Sequence, residues 1–229
     1  MRAIVLADCH GHPELLLNAL KHAQYDMAVD RLIFAGDFLD IGVKPDECFS
    51  LLMEQGAEML WGNHEAAILL GKSISPQDKV SWEWEGTFKK LVRGYPKWKV
   101  ATTHEGVLIS HAGVSQIYWR KFGLTPSVEP TAEYFNKRFE LILDVREIEM
   151  DFWANDSPLW FRPGLLAPLP GVVQVVGHTP PVSIPYKDRE FYITVDPFAR
   201  QIENYPATRY RYAIIENGIV EVVDSHNIP

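Results

Sequence analysis

Between Arg2 and Trp61 the chain alternates short β-rich apolar runs with helical patterns, and this order restricts the fold more than any other feature. Arg2 to Ala7 predicts a buried strand. Pro13 then opens a helix in which Leu16, Leu20 and Ala23 recur at helical spacing. Arg31 to Ala35 predicts a second strand, Pro45 to Gln55 a second helix, and Ala57 to Trp61 a third strand leading into a helix from His64. A β-α-β-α-β order predicts a parallel sheet, because each helix carries the chain back across one face before the next strand begins.

The remainder adds strands of another kind. Lys99 to Thr103 and Gly106 to Ser110 predict two strands joined by a short His104-Glu105 turn. Residues 115–155 are helical in pattern and polar, which predicts a helical insertion or cap. Strands are expected again at Val172 to Val176 and Phe191 to Val195. Tyr212 to Ile215, Asn217-Gly218 and Ile219 to Val223 then form a two-residue hairpin pattern. The expected fold is α/β: two packed mixed β-sheets flanked by helices, in one domain over residues 1–229.

Composition narrows the function. With 47% hydrophobic and 23% charged residues, the 229-residue chain falls outside the collagen-like, disordered and disulfide-scaffold classes. A net charge of −8 disfavours nucleic acid as a partner, since that affinity comes mostly from Lys and Arg on phosphates. Cys9 and Cys48 are too few for a secreted framework. The apolar run before Asp8 is too short for a signal peptide, and no run approaches the roughly 18 apolar residues of a membrane span. The protein is expected to be cytoplasmic, with no membrane partner.

Chemistry concentrates at the predicted strand ends. Asp8-Cys9-His10-Gly11, Gly36-Asp37-Phe38-Leu39-Asp40, Gly62-Asn63-His64-Glu65, Ser110-His111-Ala112-Gly113 and Gly177-His178-Thr179-Pro180 each follow an apolar run. In open α/β sheets, ligand groups gather at the carboxyl ends of the strands, so these loops can converge on one point. Mixed imidazole and carboxylate donors suit Mn, Fe, Zn, Co or Ni better than Mg or Ca.

In that order the segments resemble the calcineurin-like metallophosphoesterases, closest to the branch that holds phosphoprotein phosphatases and diadenosine tetraphosphatases. The resemblance implies a metallophosphoesterase-like β-sandwich and a metal-dependent phosphoric ester or anhydride hydrolase. It implies two divalent transition-metal ions, one held by Asp8, His10 and Asp37, the other by Asp37, Asn63, His111 and His178. It makes His64 the general acid, oriented by Asp40, and Arg162 a clamp on phosphate oxygens. The implied substrate is a phosphorylated small molecule, a nucleotide or a phosphoprotein. A dinucleoside polyphosphate hydrolase is one alternative, and a catalytically silent binding module on the same fold is another.

One position departs from the pattern. The resembling phosphatases continue Gly-Asp-x-x-Asp with Arg-Gly, whereas Ile41-Gly42 follows Asp40 here. Losing that cation predicts a bias away from dianionic monoesters. Several further residues read as structural: His12, His22, His104 and His226, and Cys9 and Cys48 as buried small residues. Glu140, Asp144, Glu147 and Glu149 read as a solvated helical face.

Overall fold

The computed structural model describes residues 1–74, 86–90, 98–123, 127–145, 150–163, 167–179, 192–197 and 210–225. Strands β1 (Ala3–Leu6), β2 (Arg31–Phe34) and β3 (Glu58–Met59) alternate with helices α1 (Pro13–His22), α2 (Pro45–Glu54) and α3 (Asn63–Leu70). Proline opens α1 and α2, where its fixed φ suits the first turn and its missing N–H costs nothing. β1 pairs with β2, and β2 with β3, all parallel. The sheet is completed by β8 (Arg211–Glu216) and β9 (Ile219–Asp224) in the order β3-β2-β1-β8-β9.

The second sheet runs β4-β5-β6-β7, from β4 (Ala101–His104), β5 (Val107–Ser110), β6 (Val173–Val176) and β7 (Tyr192–Thr194). β4 and β5 are antiparallel, while β6 runs parallel to both its neighbours. Both sheets are therefore mixed, as expected. Alternation along each strand explains their packing. Val5, Ile33, Ile109, Val175, Ala213 and Ile215 belong to one buried cluster shared by the two sheets. Ile4, Leu32, Phe34 and Leu108, one position away, belong to a second cluster that includes the helices.

The two hairpins follow turn chemistry. Asn217 and Gly218 have φ of 54° and 71°, the paired left-handed conformation of a type I′ turn. The β4–β5 turn departs from expectation by one position. Glu105 and Gly106 hold the positive φ values, 46° and 79°, and His104 stays in the strand. Glycine at 106 supplies the left-handed position that His104 would strain to adopt.

The insertion contains α4 (Gln116–Lys121), α5 (Val128–Val145) and a 3₁₀ turn at Met150–Trp153. It enters the core more deeply than a polar cap would. Tyr118, Trp119, Phe135, Phe139 and Phe152 are all buried. Helix α5 also seals the edge of β4: Asn136 Oδ1 accepts from Val100 N (2.7 Å) and Ala101 N (3.1 Å), and its Nδ2 donates to Ala101 O (2.8 Å). An exposed strand edge is a template for aggregation, and Asn136 occupies this one at Ala101. Glu140 is exposed, as expected. Glu147, Glu149, Pro180, Phe191 and His226 lie outside the described residues, as does the side chain of Asp144.

Away from the candidate site, Arg31 ties the sheets together. Its guanidinium meets Glu58 Oε2 at 2.5 Å and donates to Thr103 O (2.7 Å) and Thr102 Oγ1 (2.9 Å), while Lys99 Nζ donates to Glu58 Oε1 at 2.9 Å. Burial would raise the Glu58 carboxyl, but the Arg31, Lys99 and Thr102 contacts outweigh it and hold it at about 2. A depressed carboxyl stabilises the fold above its unfolded value and loses that contribution as pH falls toward the folded one. Glu58→Gln is expected to lower stability by about 1–2 kcal/mol at neutral pH, after discounting for partial exposure. Thermal melts should show the gap to wild type closing between about pH 4.5 and 2.

Candidate active site

The loops after β1, β2, β3, β5 and β6 bring Asp8, His10, Asp37, Asn63, His111 and His178 into one fully buried cluster. Close approach depends on glycine. A Cβ on Gly62 would lie 2.1 Å from Asp37 Oδ1, and one on Gly177 would lie 2.0 Å from Asp8 Oδ2. No other residue leaves room for the carboxylates at these two positions.

Backbone carbonyls aim two of the imidazoles. His10 Nδ1 donates to Leu39 O at 2.8 Å, and His111 Nδ1 donates to Ala35 O at 2.8 Å. A carbonyl only accepts, so in the neutral ring each Nε2 faces inward with a lone pair. Asp8 accepts from the His178 amide through both oxygens, at 3.0 and 2.9 Å, which ties the β1 loop to the β6 loop.

Asp37 sits at the centre. Its Oδ1 accepts from His64 N at 3.1 Å. Its Oδ2 has no hydrogen-bond partner among the described residues, yet lies 3.7 Å from His10 Nε2, 3.8 Å from His64 Nε2 and 3.4 Å from His111 Nε2. His111 Nε2 is also 2.8 Å from Asn63 Oδ1 and 3.2 Å from His178 Nδ1. Three acceptors, Asp37 Oδ2, Asn63 Oδ1 and the His111 Nε2 lone pair, thus face one another among buried side chains. Such a cluster is repulsive unless cations lie within it. Two groups of potential ligands each draw within 4.8 Å: His10, Asp37 and His64, and Asp37, His111 and His178. Carboxylate and imidazole donors sharing Asp37 fit divalent metal ions.

His64 and Asp40 pair, both side chains fully buried, with Nδ1 2.5 Å from Asp40 Oδ2. Burial alone would lower the imidazole's pKa; the Asp37 and Asp40 carboxylates outweigh it and raise it above the usual value. His64 Nε2 has no hydrogen-bond partner among the described residues. Arg162 is half-buried beside the cluster, its Nη1 donating to His178 O at 3.3 Å.

Three of the histidines read as structural make contacts away from the cluster. His22 Nδ1 meets Tyr212 OH at 2.8 Å, His104 Nε2 meets Met1 O at 2.9 Å, and His12 Nδ1 meets Glu14 at 3.1 Å. Cys9 and Cys48 are buried free thiols, and burial together with Cys48 pushes the Cys9 thiol well above its usual pKa, away from a reactive thiolate.

Sequence reading gave Glu65 no role. It is fully buried, and its carboxylate accepts from Asp37 N (2.8 Å), Phe38 N (2.9 Å), Leu39 N (3.1 Å) and Gly62 N (3.1 Å). Burial and the nearby Asp37 charge push its carboxyl upward, while the amides that donate to it favour the ionised form. The signal available in sequence was its place at the third position of α3, from which a glutamate reaches back to the preceding amide.

Residues 1–212 match the sequence pattern of the calcineurin-like phosphoesterases. The chain belongs to that family. As a member it is a metal-dependent phosphoester hydrolase. Solved structures share the fold. A cold-active protein-tyrosine phosphatase from a psychrophilic Shewanella species superposes with a TM-score of 0.63 at 16% identity, over 97% of this chain and 80% of that one. A candidate diadenosine tetraphosphatase gives 0.53 at 17%, over 99% and 95%. A serine/threonine phosphatase from Saccharomyces cerevisiae gives 0.57 at 15%, over 100% and 81%. No curated protein matches the sequence. Among the described residues no helix is long and apolar enough to cross a membrane.

Proposed function

We propose that this phosphoesterase hydrolyses phosphate esters or anhydrides at a two-metal centre. Asp8, His10 and Asp37 hold one divalent ion, and Asp37, Asn63, His111 and His178 hold the other, with Mn, Fe, Zn, Co or Ni as candidates. The observation that carries this reading is the buried Asp37 Oδ2, set among three imidazole Nε2 atoms with no donor of its own. When bound, such a pair of ions activates water and neutralises charge on the phosphoryl oxygens. His64 holds a proton on Nε2 for the leaving oxygen, and Asp40 fixes its tautomer through Nδ1. Arg162 binds phosphate oxygens with its fork while its Nη1 rests on His178 O.

The substrate is a phosphorylated small molecule, nucleotide or phosphoprotein, acted on in the cytoplasm by a single domain spanning residues 1–229. Hydrolysis is expected to stop on exhaustive chelation and return with Mn, with about two ions per chain by elemental analysis. Undiminished turnover of a chromogenic aryl phosphate after chelation would rule the reading out. The intact ligand set argues against a silent binding module.

A second reading, hydrolysis of a diester or a dinucleoside polyphosphate, is favoured by Ile41. This apolar residue takes φ of 70° directly after Asp40, a conformation that β-branched side chains rarely adopt. It stands where the resembling phosphatases carry a phosphate-binding arginine. Wild type is expected to prefer a diester or internal anhydride over a monoester of matched leaving group. Ile41→Arg should raise kcat/KM on the monoester roughly ten-fold, the scale of one charge-assisted hydrogen bond. A strong wild-type preference for phosphopeptides would count against this second reading. It would direct attention to Arg200 and Arg209, which lie outside the described residues, because Arg211 is committed to Thr194 O and Asp224.

A further inference from the structure

The geometry points to Glu65 as a positioning residue that sets the ligand loops in place before any ion arrives. This rests on the two-metal reading above, although Glu65 itself faces backbone amides rather than the proposed ions. Its Oε2 accepts from the amides of Asp37 and Gly62, and its Oε1 from those of Phe38 and Leu39. One carboxylate thereby clasps the loop after β2 to the loop after β3.

The effect extends further through two more bonds. Leu39, held by its amide, presents the carbonyl that accepts from His10 Nδ1, so the β1 loop is aligned as well. Gly62, held by its amide, starts the turn that carries Asn63 and His64, and the His64 amide closes back onto Asp37 Oδ1. Asp37, His10, Asn63 and His64 are thus all set through one side chain that is fully buried.

The chemistry demands a carboxylate. It offers only acceptor lone pairs, enough for four N–H groups, whereas an amide of equal size carries an NH₂ that would point donor to donor. Glu65→Gln is therefore isosteric but should misplace the loops. Partners that orient metal ligands typically contribute 10–100-fold in metal affinity, and that loss is expected here.

The test is calorimetric titration of metal-free protein with Mn(II), comparing wild type, Glu65→Gln and Glu58→Gln. Glu65→Gln should bind roughly 10–100-fold more weakly. Glu58→Gln, which removes a distant ion-pair residue, should melt earlier but bind as wild type does. Wild-type affinity in Glu65→Gln overturns the positioning role alone. No Mn(II) binding by wild type overturns the two-metal reading and this inference with it. Hydrogen exchange on metal-free wild type covers a variant that fails to fold. The amides of Asp37, Phe38, Leu39 and Gly62 should be protected together before Mn(II) is added. Rapid exchange of these four until the ion arrives would show that metal, rather than Glu65, orders the loops, and would overturn the proposal.

Discussion

Asp37→Asn is expected to lower hydrolysis by more than roughly 100-fold, beyond the loss typical of residues that merely orient ligands, because it would weaken both proposed ion sites at once. Elemental analysis should show fewer than the wild-type number of ions per chain. The fold should survive. Asparagine tolerates the left-handed conformation that Asp37 takes at φ 63°, and its side-chain oxygen can still accept from the His64 amide. Burial opposes the Asp37 charge, but His111, His64 and His10 outweigh it and hold the carboxyl well below its usual range, so the metal-free variant should melt somewhat below metal-free wild type. A variant that keeps the full complement of ions and its activity would show that Asp37 is no bridge.

His64→Asn is expected to retain metal yet lose roughly 10²–10⁴-fold in kcat on substrates with poor leaving groups. The loss should shrink for a nitrophenyl-type leaving group, which departs with little protonation. Equal losses on both would assign His64 some other task. The raised pKa of His64 gives this role a pH signature. An acid must be protonated to act, so kcat should fall on an alkaline limb as His64 loses its proton. Asp40→Asn should produce a milder loss and move that limb to lower pH, because the imidazolium forfeits the carboxylate that favours it.

Much of this site was legible in the sequence because its side chains occur as short local strings placed just past apolar runs. Asp8-Cys9-His10 and Gly62-Asn63-His64 carry their positions with them once the strands are recognised. What stayed hidden depends on atoms far apart in the chain. The reach of Glu65 to Leu39 spans 26 positions, and no periodicity encodes a side chain that accepts from backbone. The insertion was misjudged in depth for a related reason. Its charged residues are interleaved with apolar ones, and Tyr118, Phe135 and Phe152 bury themselves through long-range packing that a local pattern shows only faintly. The one-residue error at the β4–β5 turn shows how a glycine can outweigh a polar neighbour. Gly106, expected to open the strand, takes a left-handed φ that makes it half of the turn.

The left-handed residues carry a consequence for anyone who tries to improve this protein. Asp8, His10, Asp37, Asp40, Ile41 and His178 all have φ between 43° and 70°. Each such residue costs on the order of 1 kcal/mol or more relative to relaxed backbone, so the group together approaches the whole net stability of an ordinary domain. Glycine at any of them would relax the chain. A selection for heat resistance alone, blind to turnover, would therefore dismantle the phosphoesterase one ligand at a time and enrich sturdy, inert descendants. A useful screen must reward activity in the same round, and its gains should come from the helices and the far end of the sheets rather than from these loops.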